Sequence, residues 1–217
     1  VVRGGAENTG VLHRAFAELD AVFVGDGFDL VAVDARSPEF DGGPATAIDA
    51  AGFGILIDSD ARMLYDSSGS EWSVARTEVG SAVVGARGGR AAVCWDGSSH
   101  GRFAPTPWAP ERAESLSGLA RALGVDAGAL EVSASSLQVP PFFGVWARPG
   151  VTFSRRGFLV DPHARIVGGA EGAFPNVFAA GEAMAGSIRP FGYRRGLGLT
   201  IAGVWGRIAA QSASDVG

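Results

Sequence analysis

The chain contains no lysine. All 18 of its basic side chains are arginine, set against 23 acidic ones for a formal net charge of −5. That balance gives no electrostatic footprint for nucleic acid. The single cysteine, Cys94, excludes an internal disulfide and leaves no cysteine-based metal spacing. Within AAVCW it reads as a small buried hydrophobe. Three scattered histidines, His13, His100 and His163, form no His-Glu-x-x-His or comparable cluster, so no metal site is expected. No run of 18 apolar residues and no cleavable leader pattern occurs, and the expectation is a cytoplasmic protein without a membrane span. Also missing is a Gly-x-Gly-x-x-Gly turn after a strand near the start, the element that binds the ADP half of a dinucleotide in doubly wound folds.

What is present is a core-forming composition. Hydrophobic residues make up 47% of 217, enough for one large domain or two small ones. The most informative stretch runs from Phe174 to Ala210. Val177-Phe178-Ala179-Ala180 reads as a buried strand ending at Gly181-Glu182, followed by a small-residue loop through Ser187. Then Gly196-Leu197-Gly198-Leu199-Thr200-Ile201 opens a helical pattern through Val204, Trp205, Ile208 and Ala209. A Gly-rich helix start presents unpaired N–H groups at the positive end of the helix dipole, which suits a phosphate, a carboxylate or a flavin carbonyl. Glu182 at the strand end is placed to accept hydrogen bonds from ribose-like hydroxyls. The plainer reading is a strand–loop–helix corner whose glycines serve close packing.

VFAAGEAMAG followed by GYRRGLGLTIAGVWGRIAA resembles the C-terminal flavin segment of the fumarate reductase/succinate dehydrogenase flavoprotein superfamily, nearest its tricarballylate dehydrogenase-like branch. The resemblance implies FAD as cofactor, with Ala180, Gly181 and Glu182 at its ribityl or ribose hydroxyls and the backbone of Gly198, Leu199 and Thr200 at the flavin pyrimidine edge. RGGAENTG near the N-terminus is similar to the family's RG-x-x-NTG stretch, which implies that Asn8, Thr9 and Gly10 lie beside the flavin. From the residues alone, Asn8 or Thr9 is an ordinary N-cap for a helix carrying Val11, Leu12, Ala15, Phe16 and Leu19. The family continues Asp-Gly where this chain has Val11-Leu12.

Between these ends, Pro38, Gly42, Gly43 and Pro44 read as loop. Phe53–Asp58 and Met63–Tyr65 read as strands joined by Ser59–Arg62. Ser81–Trp95 reads as a hairpin turning at Gly88-Gly89. Ser98–Pro110 reads as a mobile or lid-like loop in which Trp108 faces substrate or serves as a core or rim aromatic. Two helices follow, one stopped by Gly124 and one capped by Asp126, with Ser117 a poor cap. Gly157–Val160 and Ala164–Val167 read as a hairpin around Asp161-Pro162.

The family likeness implies an α/β fold with an α+β cap: a partial Rossmann-like FAD-binding domain lacking its N-terminal half, plus an inserted capping domain. Residues 1–43 and 146–217 fall to the flavin domain and 44–145 to the cap. It implies a subunit of a split FAD-dependent oxidoreductase, completed by a separate N-terminal FAD-binding chain and moving a hydride to or from a C–C bond of a small carboxylate. A flavin-free scaffold derived from such an enzyme is the alternative.

Carboxylate substrates need fixed cations, and a proton donor or acceptor must face the bond. Arg148, Arg194 and Arg195 are the arginines within these motifs; Thr152 is the best-placed hydroxyl and Tyr193 a candidate proton donor. A helix-flanking surface pair is the bland account of Arg194 and Arg195, and a structural ion pair that of Arg148. The superfamily's substrate histidine before the threonine is replaced by Val151, and its acidic pair by Asp66-Ser67, so a standard fumarate reductase site is not expected.

Overall fold

The structure is a computed structural model that describes residues 1–40, 46–170, 172–188 and 196–216, without the Ser73 side chain. In chain order its elements are α1 (Val11–Ala17), β1 (Phe23–Val24), β2 (Phe28–Asp34), β3 (Ile55–Ile57), β4 (Met63–Asp66), α2 (Trp72–Gly85), β5 (Ala91–Trp95), β6 (Glu111–Ala113), α3 (Leu116–Leu123) and α4 (Ala127–Ser133). After them come β7 (Phe142–Ser154), β8 (Gly157–Phe158), β9 (Arg165–Val167), β10 (Ala173–Phe178), α5 (Ala185–Ile188) and α6 (Leu197–Val216). Short 3-10 turns occupy Asp49–Gly52, Arg87–Gly89 and Gly181–Met184. The content is mixed α and β.

The chain divides into two compact units, one of Val1–Gly5 and Leu30–Thr152, the other of Ala6–Asp29 and Phe153–Gly217. The changeovers fall at 5/6, 29/30 and 152/153, where the sequence reading puts boundaries at 43/44 and 145/146.

The first unit is built on a six-stranded sheet in the order β2-β7-β5-β3-β4, with β6 also on β7. β5 is buried along its whole length because both faces are covered. Ala91, Val93 and Trp95 join one core with Leu56, Val79, Val83 and Val145. Ala92 and Cys94 join the opposite core with Ile55, Ile57, Leu119 and Leu130. Each fully buried aliphatic side chain contributes roughly 1.5–3 kcal/mol of transfer free energy.

Helix α3 starts at Ser115, whose Oγ accepts the Gly118 N–H at 3.1 Å, rather than at Ser117, and stops at Gly124, where φ is +73°. α4 starts at Asp126, whose Oδ1 accepts the Ala129 N–H at 2.8 Å. Among the described residues, β3, β4 and the turn between them follow expectation, with Asp58 Oδ1 accepting the N–H groups of Asp60 and Arg62.

The expected hairpin over Ser81–Trp95 is not formed. Residues through Gly85 belong to α2, and Gly88 and Gly89 turn the chain from that helix into β5. The short apolar run SAVVG fits either period in isolation. Ala75, Val79 and Val83 decide it, since their spacing of four buries all three on one helix face. Gly80 lets that face approach closely: a Cβ there would lie 2.4 Å from the Leu30 carbonyl.

The second unit holds two small antiparallel pairs, β1 with β8 and β9 with β10. Its core is Phe158, Ile166, Ala179, Met184 and Ile201, edged by Phe16, Phe23, Phe174 and Trp205. The expected buried strand Val177–Ala180 differs in place and burial: β10 ends at Phe178, is only half-buried, and carries Pro175, which has no N–H for a ladder bond. The Asp161 turn is present, with the Val167 N–H on the Leu159 carbonyl and Asp161 Oδ1 taking the N–H groups of His163 and Arg165. Gly10, at φ +72°, precedes α1, and no side chain caps it, so neither Asn8 nor Thr9 is the N-cap. Val11, Leu12 and Leu19 are exposed rather than packed.

Candidate functional site

Within the second unit, three segments far apart in sequence meet on one core. Phe16 of α1, Ala179, Ala183 and Met184 of the AAGE corner, and Leu197, Ile201 and Trp205 of α6 all belong to the same cluster. The stretch Asn8-Thr9-Gly10 leads directly into α1, and Ala180-Gly181-Glu182 leads out of β10 into its 3-10 turn.

Gly181 has φ +63°, the left-handed region that favours glycine, and a Cβ there would sit 3.6 Å from the Ala202 Cβ on α6. The corner and the helix are thus in near contact. Gly186 is tighter still, with a Cβ only 2.1 Å from the Val24 carbonyl oxygen. Glu182 is exposed at the start of this turn and has an interaction of its own.

At the start of α6, the Gly196 carbonyl accepts both the Thr200 N–H at 3.0 Å and the Thr200 hydroxyl at 3.1 Å. Thr200 therefore has its N–H bonded inside the helix. Gly198 and Leu199 precede that first bond, at positions where helix geometry supplies no intrahelical acceptor. Leu199 is 83% exposed.

Arg148 and Thr152, both on β7, belong to the first unit. The Thr152 hydroxyl accepts from Arg3 at 3.0 Å. Arg148 Nη2 donates to the Ser37 carbonyl, while its Nε is buried without a hydrogen-bond partner. Ala91 pairs with Ala147 across the strands, so Arg90 continues the register opposite Arg148. The Arg90 guanidinium lies 4.2 Å over the Trp146 ring.

Both arginines line an open cavity of about 710 Å³ together with Glu111 and the Asp34–Arg36 pair. Cations gathered around one cavity are unfavourable unless an anion, an aromatic face or a hydrogen-bond acceptor offsets them. Here Trp146 does so for Arg90, and Arg148 has its Nη2 on a carbonyl.

Tyr193, Arg194 and Arg195 lie outside the described residues. Among the described residues no group of three or more His, Cys, Asp or Glu is arranged to hold a metal ion. Nor is any helix of the described residues long and apolar enough to cross a membrane.

Residues 110–199 match the family model of the FAD binding domain. FAD is the cofactor of the matched domain, and the match takes in β7, the AAGE corner and the first residues of α6. No curated protein matches the chain.

Among solved structures, a flavocytochrome c3 fumarate reductase in its open conformation is similar at TM-score 0.64 and 15% identity, covering 92% of this chain and 39% of its own. A 3-ketosteroid Δ1-dehydrogenase from Sterolibacterium denitrificans, in complex with 1,4-androstadiene-3,17-dione, is similar at TM-score 0.68 and 18% identity, covering 97% and 48%. A 3-ketosteroid-Δ4-(5α)-dehydrogenase from Rhodococcus jostii RHA1, in complex with 4-androstene-3,17-dione, is similar at 0.64 and 18%, covering 98% and 47%. At these identities the likeness is one of fold, and the chain spans less than half the length of each.

The residues that sequence reasoning did not single out are Arg90, Trp146, Asp34 and Arg36. The Asp34–Arg36 pair is two residues apart in a segment leaving a strand, a spacing that carries no periodic signal. Arg90 and Trp146 are 56 positions apart and become neighbours only through the β5–β7 register.

Proposed function

We propose that this chain is the C-terminal part of an FAD-dependent oxidoreductase, acting on a C–C bond beside a carboxylate of a small molecule. The observation that carries this reading is the meeting of the AAGE corner with the start of α6 on one core, within a segment that matches an FAD binding domain. The residues fit the cofactor. Glycine occupies the corner where the backbone takes a left-handed φ of +63°, and two N–H positions at the helix start precede its first internal bond.

FAD, when bound, supplies the hydride-accepting redox chemistry that side chains lack. In this reading Glu182 accepts hydrogen bonds from ribityl or ribose hydroxyls, beside Ala180 and Gly181. The N–H groups of Gly198 and Leu199 would hold the flavin's pyrimidine edge, with Thr200 buttressing the turn through the Gly196 carbonyl. Asn8, Thr9 and Gly10, which lead into α1, would also help to hold the flavin.

The family resemblance proposes Arg148 and Arg195 as planar carboxylate donors, Thr152 as an orienting hydroxyl and Tyr193 as a proton donor, each by its motif position. The two steroid enzymes act on ketones by their printed names; the Arg90 and Arg148 cavity favours the carboxylate reading here.

The flavin domain is proposed to be completed by a separate chain carrying the dinucleotide-binding turn, giving a hetero-oligomer, with residues 44–145 serving as the cap. Support comes from apolar side chains left in water on the flavin-motif unit: Leu12 at 67% exposure, Leu199 at 83% and Val204 at 53%.

The test is the visible absorption spectrum of the purified chain, alone and co-expressed with a dinucleotide-binding partner. Flavin bands that require the partner and vanish in Glu182→Ala support the reading. A colourless complex would leave a flavin-free scaffold in its place.

A further inference from the structure

We propose that the cavity beneath the 97–110 loop is a binding site for an uncharged, flat ring compound carrying one hydrogen-bond acceptor such as a ketone. The cavity measures about 410 Å³ and is walled by Trp95, His100, Phe103 and Trp108, with Ile48 and Pro105. That volume lies within the range of small-molecule sites, roughly 300–1,000 Å³. All of it belongs to the unit that also carries Arg148, and its occupancy needs no flavin.

The walls are oriented before any ligand arrives. His100 and Trp95 both stack on Phe143, at 4.1 Å and 8° and at 5.5 Å and 12°, so their planes are nearly parallel. Phe103 stands edge-on to Trp95 at 87°. Trp108 is backed by the Arg36 guanidinium, 5.6 Å from its ring. Arg36 in turn grips Asp34 through two bonds and reaches the Ala109 carbonyl at 3.1 Å.

The loop is tied down along its length. The Gly97 N–H bonds the Val139 carbonyl at 2.7 Å, the Ser99 hydroxyl the Phe53 carbonyl at 3.2 Å, and the Thr106 hydroxyl the Trp108 carbonyl at 2.8 Å. A pre-formed aromatic slot lowers the ordering cost of binding a rigid ring.

Charge selects the class. The ionisable groups in the lining are Asp49 and His100. Asp49 is paired with Arg76 at 2.9 Å, so no uncompensated charge faces a ligand from it. His100 Nδ1 accepts from Trp95 Nε1 at 3.4 Å, which puts the ring hydrogen on Nε2 and makes that atom the imidazole's remaining donor. A carboxylate would surrender its hydration for one neutral donor, whereas a ketone surrenders far less. A cation would find the Trp108 ring already engaged by Arg36.

Isothermal titration of the chain without flavin tests this, using 2-acetylnaphthalene as the ketone and 2-naphthoate as its anionic counterpart. The expected result is saturable binding of the ketone at one site, at least tenfold tighter than the naphthoate. Trp108→Ala is expected to weaken it at least tenfold with the circular dichroism spectrum unchanged. His100→Phe, which keeps the stack but loses the donor, is expected to weaken the ketone several-fold while leaving naphthalene itself unaffected. Equal or tighter binding of the naphthoate, absence of saturation, or indifference of ketone affinity to both substitutions would overturn the proposal. None of these outcomes depends on flavin binding, so a colourless complex leaves them intact.

Discussion

Arg36 holds Asp34 in a two-pronged grip, Nε to Oδ1 at 2.9 Å and Nη2 to Oδ2 at 2.7 Å, although the two residues are only two positions apart. Asp34 is fully buried, while the Arg36 side chain is 44% exposed. Its hydrogen bond to Asp34 raises the guanidinium pKa above the usual value, despite the opposing cost of burial. The pair closes a β-strand exit and, through Trp108 and Ala109, pins a loop more than 70 residues away. Replacing Arg36 with Ala leaves a buried carboxylate without its cation. A loss of about 1.5–3 kcal/mol is expected from the missing charged hydrogen bonds, read as a lower urea midpoint. An unchanged midpoint would show that the grip contributes nothing to stability.

Asp96 leads to an acid-sensitivity prediction. Burial pushes its carboxyl up, but the Ser98 hydroxyl and the N–H groups of Val139, Gln138 and Ser98 outweigh this and hold it below the usual value. A depressed native pKa means that the stabilisation is complete above the unfolded value and is lost as pH falls through the native one. Asp96→Asn should cost about 1–3 kcal/mol at neutral pH and flatten the stability curve on its acid side. Parallel curves for both proteins would refute the assignment.

Two glycines should respond in opposite directions. Gly186→Ala drives a Cβ to 2.1 Å from the Val24 carbonyl, and a loss of about 3 kcal/mol or more is expected. A Cβ added at Gly203, in the middle of α6, would meet no atom within 4 Å beyond its chain neighbours and the backbone of its own helix, so Gly203→Ala should gain about 0.5–1 kcal/mol. Thermal melts of both variants decide the matter, and a stabilising Gly186→Ala would contradict the close approach.

Cys94 should be silent toward thiol reagents in the native chain. It is fully buried, and burial pushes its thiol pKa up to about 12. Ellman's reagent is expected to react only in denaturant; prompt labelling in buffer would show that the β5 sheet opens.

Much of the local structure is legible in the sequence. Asp126 as a cap, Gly124 as a stop and the Asp58 and Asp161 turns each depend on side chain and backbone within four residues, so the sequence carries them directly. Other expectations failed at this same scale. Ser81–Gly85 fits strand and helix alike, and the burial of Ala75, Val79 and Val83 against the sheet makes it helix. Val177–Ala180 reads as a core strand by composition, yet β10 pairs only with β9 among the described residues and stays half-buried.

The sequence by itself determined the Asp126 cap, the Gly124 stop, the Asp58 and Asp161 turns and the apolar strands β3 and β4, together with the motif string that resembles a flavin-binding segment. Such features follow from backbone geometry and hydrophobic alternation over a few residues. Tertiary structure alone decided that Phe16, Met184 and Ile201 share one core, that Arg90 lies over the Trp146 ring, and that Arg36 braces Trp108 over a cavity. Each of these depends on packing between segments tens of residues apart, where burial and strand register, rather than any spacing in the chain, set which side chains meet.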